Sequence, residues 1–158
     1  MKKILMAAVL LLSVVTMVGC FGKKNENPLI KGVLGEWQLT KSPLLTDDTA
    51  DIIDVYVEFK SDNTFDLYQR DFTAPQYKHY TGTYLITDSV ITGKYSDGKS
   101  WGATNGYTAS INMAGQLSLT NVDFTDDISV FEKKTIPTDI KGSTTRSAVV
   151  EQDSHRFL

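Results

Sequence analysis

The chain has a single cysteine, Cys20, and only two histidines, His79 and His155, in 158 residues. One cysteine cannot form an intramolecular disulfide, so no covalent framework substitutes for a core. Two histidines are too few for a zinc site built on imidazoles, which takes three or four ligands, and they argue equally against haem. Both are read as surface residues, because covalent catalysis needs a nucleophile held beside a general base. No G-x-G-x-x-G occurs, and no nucleotide-binding loop is expected. Past the first twenty residues no apolar run reaches the ~20 residues that cross a bilayer as a helix. No cofactor, no metal and no enzymatic activity are expected.

The first twenty residues are different. Lys2 and Lys3 precede an apolar stretch over 4–17, broken only by Ser13 and Thr16 and ending in Val18-Gly19-Cys20. A charged start, a short apolar run and a small-residue end mark a cleaved export signal, 1–19. The sole cysteine directly after Gly19 resembles the lipobox of bacterial lipoproteins, although Met17 stands where that motif most often has leucine. The resemblance implies that Cys20 receives a diacylglycerol, becomes the first mature residue and is acylated on its new amine. Several acyl chains, each methylene contributing ~0.8 kcal/mol when buried, make such anchoring permanent. By the same resemblance Phe21, rather than Asp, after the cysteine favours the outer membrane, facing the periplasm. Residues 20–31 read as a polar lipidated tether.

Cleavage would leave 139 of the 158 residues, enough for one domain, and would take two of the 16 basic residues. The remaining 14 against 19 acidic residues give a balance near −5, which argues against nucleic acid as a partner. The expected partners are the membrane, through the lipid, and a small apolar ligand, with the chain a monomer.

Between 32 and 136 the apolar residues recur every second position in short runs bounded by turn residues. Trp37 and Leu39 share a face, as do Val55, Val57 and Phe59. Ser61-Asp62-Asn63 turns the chain before Phe65 and Leu67. Tyr80, Gly82, Tyr84 and Ile86 form the next line, and Thr87-Asp88-Ser89 turns again. The strand 90–96, the line Tyr107, Ala109 and Ile111, the pair Leu117 and Leu119, and the segment 127–134 complete eight candidates. No helical pattern long enough for a crossover separates them, so antiparallel pairing is expected. Such strands fit an all-β sandwich or up-and-down barrel, and sequential hairpins with one apolar face favour the barrel, since closure removes exposed edges. Segment 41–54 is the longest early link, with room for one helical turn across a barrel mouth. After Thr135 the pattern stops, and 137–158 reads as a largely disordered tail.

The Gly35-Glu36-Trp37 at the head of this meander resembles the lipocalins, and more closely the lipocalin-like domains of small bacterial lipoproteins. The resemblance covers about 32–134. It implies that Trp37 closes the base of the barrel, with Gly35 allowing a close approach. The Thr-Asp-x-x-Tyr pattern of lipocalins is incomplete, since Ser89, Val90 and Ile91 follow Thr87-Asp88. Their arginine near the last strand is absent; Lys133 and Lys134 are there instead.

Within the barrel, Trp37, Phe59, Tyr80, Tyr84 and Tyr107 are the candidate cavity lining. Such aromatics either fill the interior as core or surround a ligand, and tyrosine offers an apolar body with a polar handle. Trp101, in a Gly/Ser-rich loop, is the candidate for an exposed contact with a sugar or a partner. The aspartates of two loops (Asp47, Asp48, Asp51 and Asp54; Asp123, Asp126 and Asp127) are ordinary solvated charges or a hydrolytic or calcium cluster, without the spacing of a known calcium loop. The leading expectation is a ligand-binding lipoprotein. The alternative is a structural or interaction module with a filled barrel, working through loops 41–54 and 97–106.

Overall fold

The computed structural model describes residues 27–46, 52–71, 74–142, 145–146 and 156–158. The signal, Cys20, Asp47, Asp48, Asp51 and His155 lie outside them.

Eight strands carry the barrel: β1 (Gly35–Lys41), β2 (Ile52–Phe59), β3 (Thr64–Asp71), β4 (Lys78–Thr87), β5 (Val90–Tyr95), β6 (Tyr107–Ile111), β7 (Leu117–Asn121) and β8 (Ile128–Lys133). Each pairs antiparallel with its neighbour in sequence, and β8 returns to β1 with Phe131 opposite Leu39, which closes the sheet. This is the up-and-down barrel expected from the period-two runs. Trp37 lies opposite Val57, Val57 opposite Leu67 and Leu67 opposite Tyr80, so each predicted inner face joins the next in register. The turns behave as their residues dictate. Asn63 takes φ 63° and Asp88 φ 56°, a left-handed geometry that Asn and Asp tolerate, while Asp62 accepts from Thr64 N at 3.0 Å.

Strand direction alternates, so the barrel has two unlike ends. One carries α1 (Pro28–Val33), the start of β1 and the tight turns after β2, β4 and β6. The other carries the long links, among them the one-turn α2 (Pro43–Thr46), whose Leu45 packs on the core. α1 starts inside the expected tether. Asn27 caps it through a bond from Leu29 N at 3.0 Å and Pro28 holds its first position, a local start signal strong enough to order this segment.

The expected tail also departs from its reading where it is described. α3 (Thr138–Gly142) lays Ile140, with Ile136, over Tyr56 and Tyr68 on the outside of the barrel, and Lys141 pairs with Glu36 at 2.5 Å. β9 (Thr145–Arg146) adds parallel to Lys78 and His79 of β4. Phe157 and Leu158 enter the main core. These segments are too short to show a period, and their burial depends on surfaces that exist only once the barrel has closed.

Candidate binding site: the barrel interior

Gly35 takes φ 114°, a conformation that L side chains rarely adopt, while the space where its Cβ would sit is limited only by the Lys133 side chain at 3.3 Å. Conformation more than close approach therefore fixes glycine here. Two residues on, Trp37 is buried at 1 % exposure and its Nε1 donates to Val33 O at 2.7 Å, so α1 and the tryptophan close this end together. Lys133 Nζ lies 5.1 Å from the Trp37 ring, a cation over the aromatic face where the resemblance implies an arginine.

All five predicted lining residues fall in one buried cluster. Phe59 meets Tyr84 edge-on at 5.1 Å, and the Tyr84 hydroxyl donates to Lys60 O at 2.7 Å. Tyr80 stands 6.0 Å from Tyr95. Burial pushes the Tyr107 hydroxyl up to about 12, with Asp127 adding to the effect, and raises Tyr84 and Tyr95 in the same direction.

Trp101 is not the exposed contact that its loop composition suggested. It is 4 % exposed and packs against Phe59, Phe65 and Tyr107 at 6.4, 5.3 and 6.2 Å. Gly93 makes this possible, because a Cβ there would lie 2.1 Å from the indole. β5 and β6 share only two paired positions, and the loop between them turns inward to fill the seam, with Trp101 N donating to Gly93 O at 3.0 Å. The indole Nε1 is buried without a hydrogen-bond partner.

Several polar features carry no site. Gly93 to Ser100 has the G-x-x-x-x-G-K-S spacing of a phosphate loop, against the expectation of no nucleotide-binding loop. A phosphate cradle needs a strand, a loop and then a helix N-terminus. Here Gly98 N bonds Tyr95 O in a tight turn, Ser100 bridges back to Lys94, and β6 follows rather than a helix. His79, on the outer face, sits 2.5 Å from Asp66 and stacks on Tyr68 at 4.5 Å. Burial would raise Asp66, but hydrogen bonds from His79 and Lys60 outweigh it and hold the carboxyl below its usual value. Of the aspartates expected in loops, Asp54 lies instead on β2, where it accepts from Tyr77 and Gln38, while Asp123 accepts from Asn105 and Asp127 from Asn121. Among the described residues no group of three or more His, Cys, Asp or Glu is placed to hold a metal.

Three contributors to the interior lie outside the expected lining. Gln69 continues the inward line of Phe65 and Leu67 and is fully buried. Tyr95 follows Ile91 and Gly93 inward, as alternation along β5 would have shown. Residues 156–158 had no such signal. Phe157 meets Phe131 edge-on at 5.9 Å, and Leu158 is 2 % exposed.

An eight-stranded meander sealed by a tryptophan at one end and entered at the other by a separate segment belongs to the class of small up-and-down barrels. The sequence model of the family described as Lipocalin-like domain matches residues 33–119, more than half of the chain, and the chain belongs to that family. No curated protein and no solved structure matches it.

Proposed function

We propose that this protein is a lipid-anchored lipoprotein of the cell envelope whose barrel binds a small apolar molecule without catalysing a reaction. One observation carries the binding role. Phe157 and Leu158 help fill the interior, and among the described residues 156–158 take part in no strand pairing, so their departure would leave the barrel's ladders intact. The space they vacate is lined by aromatic rings with a few inward polar groups, the usual make-up of a small-molecule site. The alternative is an interaction module with a filled barrel working through loops 41–54 and 97–106; the packed interior favours it, and the burial of Trp101 removes only the exposed-contact candidate in the second loop.

The anchor rests on Gly19-Cys20 and the apolar run before it. On this reading Cys20 carries the diacylglycerol and its acylated amine, and the protein is a monomer on the outer membrane, facing the periplasm. Mass spectrometry of the native N-terminus is expected to find the lipid on Cys20; a free thiol there ends the anchoring proposal. For binding, the soluble form lacking residues 1–20 is titrated with an environment-sensitive apolar fluorophore, and saturation at one site is expected. Tyr84→Ala should weaken binding by more than it lowers stability. Unsaturable adsorption alone would remove the binding role.

A further inference from the structure

Residues 156–158 sit at the barrel mouth in contacts that read a peptide group by group. The main-chain N–H of Phe157 donates to Gln69 Oε1 at 3.0 Å, and the main-chain oxygen of Leu158 accepts from the Tyr95 hydroxyl at 2.6 Å. Gln69 is oriented for this by donating its own amide to Asp71 at 3.2 Å. The two apolar side chains enter the core, Phe157 against Phe131. Arg156 remains at the rim, its guanidinium 5.0 Å from the Tyr80 ring centre and 4.5 Å from that of Tyr95, and 2.5 Å from an Asp97 oxygen. The hydrogen bond from Arg156 holds the Asp97 carboxyl down at about 2, so the rim keeps its negative charge at any physiological pH.

We propose that the barrel mouth is a peptide-binding site for segments of basic–aromatic–aliphatic pattern, occupied in cis by residues 156–158. This rests on the reading of the interior as a binding site and names its ligand class. An apolar molecule without amides would use the Phe131 face alone. A peptide uses all of it: Gln69 accepts one main-chain donor, Tyr95 serves one main-chain acceptor, the core takes two side chains, and Asp97 with two tyrosine faces takes the cation. Because the cis segment is tethered, it competes at a high effective concentration and must be displaced by any ligand in trans.

The test uses the full-length chain in detergent, with a fluorescein-labelled peptide Ser-His-Arg-Phe-Leu, the sequence of residues 154–158, read by fluorescence anisotropy. Phe157→Asp places a charge that the core cannot accept and expels the cis segment without altering the barrel wall. The variant, shown by its circular dichroism melt to be folded, is expected to bind the peptide about ten-fold or more tighter than the parent. The reversed peptide Leu-Phe-Arg-His-Ser should not bind. Arg156→Ala, which changes only the rim, should produce a smaller gain and serves if Phe157→Asp does not fold. Overturning results are a folded Phe157→Asp chain that binds no better than the parent, equal binding of both peptide orders, or no gain from Arg156→Ala. If an apolar fluorophore saturates the variant and the peptide does not displace it, the peptide site falls while the small-molecule reading stands. If the peptide binds and the fluorophore does not, this inference stands and that reading falls.

Discussion

At the scale of single residues, Trp37 shows how far alternation can be read. Its neighbours Leu39 and Gly35 fixed its face, and the fold adds what alternation could not: the bond to Val33 O and the Lys133 ammonium over the ring. Trp37→Ala removes a large side chain that has no exposed part to spare, so a loss of about 3–5 kcal/mol is expected in denaturant unfolding. A loss below about 1 kcal/mol would mean that the site collapses freely and that the tryptophan does not close the barrel. Trp101 shows the opposite limit. Its loop has no period, and what buries it is an absent side chain eight positions earlier, at Gly93. Nothing local to Trp101 announces that slot.

At the scale of elements, the weak point is the seam between β5 and β6. With two paired positions, the seam depends on the inward loop and on the indole lying on Gly93. Gly93→Ala drives a methyl into an indole packed against Phe59, Phe65 and Tyr107, and about 1–3 kcal/mol of destabilisation is expected. The same substitution in a Trp101→Ala background should cost clearly less. A double-mutant cycle measures this, and additive costs would show that the two residues do not share the seam. The other strands were legible because each is long enough to show three or more alternating positions, and their turns carried Asn, Asp and Gly at the bends. α3 and β9 were not. A five-residue helix and a two-residue strand hold no pattern, and they form because Tyr56, Tyr68 and the free edge of β4 are there to receive them.

At the scale of the molecule, the buried tyrosines set the alkaline limit. Tyr84, Tyr95 and Tyr107 all have raised folded-state values, Tyr107 at about 12 against an ordinary 10. A raised value means that stability is intact below pH 10 and is lost as pH climbs towards 12, because the unfolded chain ionises first. The denaturation midpoint should therefore fall across that interval, and a flat midpoint would show that the hydroxyls reach water in the folded state. The sequence by itself determined the period-two strands, their turns, the inward aromatics and hence the closed barrel, since each is fixed by neighbours a few positions away. Only the tertiary structure decided what occupies the interior. The burial of Trp101 and the seating of residues 156–158 depend on contacts between segments up to 88 positions apart, as from Phe157 to Gln69. Such contacts come into being only when the barrel closes, and no local pattern encodes them.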